Sequence, residues 1–155
     1  MSGRARTAPQ AALATRFRAA DESPGLLMWQ VTNRWQAAQR AALKPFGLTH
    51  VQFVLLASLA WLDTDGPITQ RELADHAATD PMMTSQVLRT LEQRCLIDRS
   101  PHPQDGRAQA LTLTRRGRSL VNRAIAAVEQ CDEDFFRPLG PARAFTRALL
   151  ALRDR

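Results

Sequence analysis

The sequence predicts a mainly α protein with one small β-hairpin. Three observations carry that expectation. Helix-start signals recur along the chain, at Ser23-Pro24, Thr49/Gln52, Thr69/Glu72, Asp80-Pro81 and Thr114. Between them, apolar residues return at helical spacing. One stretch departs from that pattern: in "SPHPQDGRAQALTLTRRG", residues 100–117, two prolines and an Asp-Gly pair precede a run that alternates like a strand.

Residues 1–22 are rich in small residues, carry four arginines and have no sustained apolar face, so a basic, partly disordered tail is expected there. Ser23 then caps a helix with proline at its first position, where the missing N–H is no loss. Leu27, Met28, Val31, Trp35, Ala38 and Ala42 form its apolar face, and "KPFG" ends it at Gly47. Thr49 and Gln52 make a capping box for a helix reaching about Leu62, where "DTDGP" stops it. Thr69 and Glu72 repeat the device for a short helix ending near Ala77. After the link "ATD", Asp80-Pro81 opens a helix to about Arg94, with Thr84, Val87, Leu88 and Leu91 on one face. Two short strands follow, Leu96 to Ser100 and Ala108 to Thr114, joined by "PHPQDGR". Thr114 caps a long helix whose apolar face takes Leu120, Val121, Ile125, Val128 and then Phe135 or Phe136. "PLGP" interrupts it before a terminal amphipathic helix, "ARAFTRALLALRDR".

Composition narrows the function. The chain has 155 residues, 45% of them apolar, enough for one domain with a core. Its longest apolar stretch, Val54 to Leu62, falls short of the roughly 18–20 residues that cross a bilayer. The basic N-terminus has no apolar central region and does not read as a secretory signal. Cys95 and Cys131 form neither a disulfide framework nor a metal-ligand pattern, and both are expected to be buried, inert thiols. His76 and His102 have no Glu or Cys at metal-ligand spacing. A soluble cytoplasmic protein without metal or cofactor is expected, with no membrane partner. No nucleophile with a base, carboxylate cluster or phosphate loop is present, which argues against an enzyme. The net charge of +6 favours an anionic partner. Since Lys44 is the only lysine, the placement of the arginines is more telling than their number.

A short helix, a tight link, a second helix and a hairpin make a winged helix-turn-helix. The second helix suits the major groove of DNA, where each base pair shows a distinct pattern. With its apolar face turned to the core, Met82, Met83, Ser85, Gln86, Arg89 and Thr90 are left as groove-facing residues. Gln86 suits adenine, Arg89 suits guanine or phosphate, and the methionines suit thymine methyl groups. At the hairpin tip, Asp105-Gly106 supplies the turn through a positive φ at glycine, and Pro101 and Pro103 remove donors from a projecting edge. Arg107 stands at the tip, where a narrow minor groove attracts a guanidinium, and Asp105 is close enough to orient an arginine. Either motif alone is an ordinary solvated helix face or exposed turn; their succession makes them informative.

From about Ser23 onward the chain resembles the MarR (multiple antibiotic resistance regulator) family of bacterial transcription factors. The matching stretches are "LTHVQFVLLASL", "ITQRELADHAATDPMMTSQVLRTLEQRCLI" and "DGRAQALTLTRRGRSLV". The resemblance implies a homodimer on double-stranded DNA carrying a palindromic operator. Residues 23–47 and 115–155 would be interlocked dimerisation helices and 48–114 the DNA-binding domain. It assigns Arg107 to the minor groove, Asp105 to orienting it, and the groove-facing set above to base readout. It implies a repressor released by a small aromatic or anionic ligand, for which Trp29, Trp35, Arg34, His50 and Trp61 could line a pocket, unless the tryptophans serve core and interface. Family members usually place glycine after the recognition helix, where this chain has Cys95. The competing reading is a protein-interaction module on the same fold that does not bind DNA, for which the basic wing would be dispensable.

Overall fold

The computed structural model describes residues 13–63 and 66–154. The expectation for the tail therefore lies outside the described residues over 1–12, as does part of "DTDGP", residues 64–65. Two compact units divide the chain, residues 1–34 and residues 35–155. Six helices and a three-stranded antiparallel sheet follow in the order α1 (Pro24–Leu43), α2 (His50–Leu62), β1 (Ile68–Thr69), α3 (Gln70–Ala77), α4 (Pro81–Gln93), β2 (Ile97–Pro101), β3 (Gln109–Leu113), α5 (Arg115–Phe136) and α6 (Arg143–Arg153). No single helix among the described residues is long and apolar enough to cross a membrane.

The caps form as their residue types dictate. Ser23 Oγ accepts the Leu26 N–H at 3.3 Å, and α1 ends in a tight turn whose Gly47 takes a left-handed φ of 63°. Both capping boxes close, Thr49 with Gln52 and Thr69 with Glu72. The bonds from the Thr69 main chain and side chain hold the Glu72 carboxyl below its ordinary value. Asp80 accepts from Met83 N–H at 2.9 Å, and Thr114 from Gly117 N–H at 2.9 Å.

In the second unit, one apolar core unites Leu43, the α2 residues Leu55, Leu56 and Leu59, Leu73 of α3, Leu88 and Leu91 of α4, and Val121 and Ala124 of α5. Thr84 is fully buried beside them, yet satisfied. Its hydroxyl donates to the Asp80 carbonyl at 2.7 Å, so Thr79 must donate to Thr84 across their 2.7 Å contact. This pair stiffens the link between α3 and α4. Three polar ties join neighbouring elements around this core. Arg94 donates to the Gly47 carbonyl and Gln52 Oε1, Arg99 meets Glu92 of α4 at 3.1 Å, and Arg118 of α5 meets Asp63 at 2.6 Å.

The sheet differs from the expected hairpin in one respect. β3 lies between β2 and β1, with Ile68 paired to Leu111 and Thr69 to Ala110. A two-residue strand is too short for any alternating pattern to register, and its sequence already reads as the lead-in to a cap. Pro101 falls in β2, an edge strand, where a missing donor is tolerated.

Two helix ends use left-handed residues that are not glycine. α4 closes with Cys95 N–H on the Glu92 carbonyl and Leu96 N–H on the Leu91 carbonyl, both at 2.9 Å. This is the Schellman pattern, and it puts Cys95 at φ 57°. α3 closes in the same way, with Thr79 N–H on Ala74 and Ala78 at φ 52°. Cys95 is exposed, contrary to the buried thiol expected, because this cap turns its side chain out past the helix end. Immediately after it, the Leu96 carbonyl accepts Thr114 N–H at 3.1 Å, and Thr114 Oγ1 donates to the Cys95 carbonyl at 2.8 Å. Gly117 is buried at this joint, where an added Cβ would fall 2.0 Å from the Leu96 oxygen.

Two substitutions test these positions in opposite senses. Cys95→Gly removes left-handed strain without losing packing and is expected to raise stability by about 0.5–1 kcal/mol. Gly117→Ala forces α5 away from the sheet and is expected to lower it by about 1–3 kcal/mol. Chemical denaturation reads both; a cysteine variant no more stable than the parent, or a tolerated alanine, would contradict the geometry.

Candidate nucleic-acid interface

The periodicity of α4 sorts its side chains into two sets. Thr84, Leu88 and Leu91 are fully buried and Val87 packs partly against the core. On the other side Met82, Met83, Gln86, Arg89 and Thr90 are exposed and Ser85 is half-buried. All six residues expected to face outward are thus off the core. Met82 is 76% exposed, unusual for a large apolar side chain in an aqueous protein. Arg89 Nη2 donates to Ser85 Oγ at 3.4 Å, a long bond that leaves most of its donors free.

The wing loop is held differently from the sequence expectation. Gly106 does not take a positive φ, and a Cβ added there would meet nothing within 4 Å. Side chains shape the turn instead. Asp105 Oδ1 accepts the main-chain N–H of Arg107 at 3.0 Å, and the Asp105 carbonyl accepts Ala108 N–H at 3.1 Å. The carboxylate therefore orients the backbone beneath Arg107, and no ion pair joins it to a guanidinium among the described residues. Arg107 itself is exposed. His102 Nδ1 accepts N–H groups from Gln104 and Asp105, each at 3.2 Å. The sequence reading weighed His102 only as a metal ligand. Its place three residues before Asp105 was the available signal, since a side-chain acceptor there can cap the turn.

Trp29 and Arg34 are exposed on α1. In the second unit, His50 begins α2 and packs edge-on to Trp35 with ring centroids 5.0 Å apart. Burial, then the charge of Arg40, lowers the His50 pKa, while Asp132 opposes them. Trp35 Nε1 and Gln39 Nε2 both donate to Asp132 Oδ1, at 2.7 and 2.6 Å. Trp61, at the far end of α2, is 78% exposed beside a groove of about 270 Å³ shared with Ala57, Arg118 and Val121. His50 and Trp61 therefore do not converge on one cavity. Cys131 is half-buried, and burial first, then Asp132 and Asp134, holds its thiol above the ordinary value, away from reactivity. Among the described residues no group of His, Cys, Asp and Glu could hold a metal ion.

Comparison with known proteins agrees with this architecture. The MarR family model matches residues 48–108. The uncharacterized HTH-type transcriptional regulator YdcH of Bacillus subtilis is 45% identical over 123 residues, 79% of this chain and 84% of that protein. The HTH-type transcriptional repressor Rv2887 of Mycobacterium tuberculosis is 39% identical over 114 residues, 73% and 80% of the two chains. The crystal structure of CouR from Rhodococcus jostii RHA1 bound to p-coumaroyl-CoA superposes with a TM-score of 0.77 at 25% identity, over 88% of this chain and 94% of that one. A structure of the repressor CouR bound to a 23-mer DNA duplex gives 0.74 at 28% identity, over 87% and 94%.

Because Gly106 needs no left-handed freedom, Gly106→Ala is expected to leave thermal stability within about 0.5 kcal/mol of the parent and the wing fold intact. A marked loss in a melting experiment would restore the glycine-dependent turn.

Proposed function

The chain belongs to the MarR family, a DNA-binding transcriptional regulator and not an enzyme, and from that premise we propose how it engages DNA. Two copies pair through α1, α5 and α6, and each lays α4 in a major groove and Arg107 in the neighbouring minor groove of a palindromic operator. The observation that carries this reading is the division of α4. Thr84, Leu88 and Leu91 on its core face are fully buried, while its other face offers Gln86, Arg89, Thr90 and two methionines to whatever lies outside. A groove lined by thymine methyl groups would give the exposed methionines an apolar partner. The exposed guanidinium of Arg107, on a turn fixed from within, suits the negative potential of a narrow minor groove.

Exposed apolar side chains on α1 (Leu27, Met28, Val31) and on α6 (Leu149, Leu150, Leu152) support pairing through the terminal helices. A water-facing face of that kind is stable only when covered. Regulation is proposed to be repression in the cytoplasm, relieved by a small aromatic or anionic effector. The p-coumaroyl-CoA bound to CouR supports that class of ligand. Selection of bound fragments from the protein's own genome, repeated with candidate aromatic acids and thioesters, tests both operator and effector; recovery of random fragments would defeat the reading.

Two variants give sharper tests. Arg107→Ala is expected to weaken operator binding about tenfold or more without changing the dimer, and Arg89→Ala to relax discrimination at one base pair by about 1–3 kcal/mol. A gel-shift titration unchanged by either would contradict the assignment. Truncation before Ala142 is expected to yield monomers or aggregates in sedimentation, since α6 loses the face that covers its partner; a well-behaved dimer would refute pairing through that helix.

A further inference from the structure

The wing loop poses a problem that its sequence motif does not solve. Gly106 is not in a left-handed conformation, and Pro101 and Pro103 donate nothing, so neither glycine nor a regular ladder holds the tip. Yet five main-chain donors are engaged. His102 N–H reaches the Ala108 carbonyl at 3.0 Å, Ala108 N–H the Asp105 carbonyl, and Arg107 N–H the Asp105 carboxylate. The remaining two, from Gln104 and Asp105, converge on one atom, Nδ1 of His102, at 3.2 Å each.

We propose that His102 is the positioning residue of the wing: its Nδ1 lone pair gathers the two N–H groups and so fixes the turn from which Arg107 projects. A main-chain N–H can only donate, so Nδ1 must be unprotonated, with the ring proton of the neutral form on Nε2. The arrangement copies an Asx or N-terminal cap, in which a side-chain acceptor takes the N–H groups two and three residues on. Capping by His102 sets the Asp105 main chain, Asp105 in turn holds the Arg107 N–H, and the guanidinium leaves the loop in one direction.

This inference rests on the reading of Arg107 given above, and its test separates the two. Asparagine carries Oδ1 two bonds from Cβ, as histidine carries Nδ1, so His102→Asn keeps an acceptor at that place, whereas His102→Phe keeps a ring without the acceptor. Full-length parent, both variants and Arg107→Ala would be compared by amide order in ¹H–¹⁵N spectra and by binding to a duplex recovered from the genomic selection. His102→Phe is expected to loosen the Gln104, Asp105 and Arg107 amides and weaken binding about five- to tenfold, the scale of two lost hydrogen bonds. His102→Asn is expected to match the parent. Ordered wing amides in His102→Phe overturn the positioning role. Should Arg107→Ala bind as tightly as the parent, the minor-groove reading fails, and the amide spectra still decide whether His102 holds the turn.

Discussion

The carbonyl of Leu96 is where recognition helix, wing and long helix meet. It follows the Schellman closure of α4, accepts Thr114 N–H at 3.1 Å, and lies so near Gly117 that no side chain fits between them. Thr114 completes the joint with one hydroxyl, which donates to the Cys95 carbonyl and accepts the Gly117 N–H in the first turn of α5. A change in α4's direction must therefore carry the base of the wing and the start of α5 with it. This coupling ties the base of the wing to α4 and α5.

The same joint explains why a residue in an unfavourable conformation is kept. Cys95 at φ 57° stores strain of about 1–2 kcal/mol, offset by two main-chain bonds and by burial of Leu91 and Leu96 on either side of the turn. Ala78 plays the matching part at the end of α3. Both helices of the helix-turn-helix thus end on a left-handed residue that intrinsic preference alone would not select.

That distinction also marks what the sequence could tell. Caps were legible because each depends on residues within three positions of one another: Thr49 with Gln52, Thr69 with Glu72, Asp80 before proline. The inner and outer faces of α4 were legible because its period is regular and its buried threonine replaces only one apolar position. What escaped depends on distant partners. β1 exists because β3 offers it an edge, and Cys95 is exposed because Leu96 must turn inward. The wing turn was assigned to the wrong residue, since Asp-Gly is so often a left-handed turn that the histidine three positions earlier went unconsidered.

Charge then gives the fold its purpose. A net +6 would attract any polyanion, but specificity needs a few cations held at a set spacing. Arg94, Arg99 and Arg118 are engaged within the fold. Arg107 stands free of ion pairs among the described residues, and Arg89 makes one long bond to Ser85. The most direct measurement of the central claim is a footprint of the bound operator, with guanine N7 methylation reporting the major groove and hydroxyl radicals the minor. The account predicts, in each half-site, methylation protection flanked about half a helical turn away by sugar protection. Protection confined to one groove would show that helix and wing do not read DNA as a single unit.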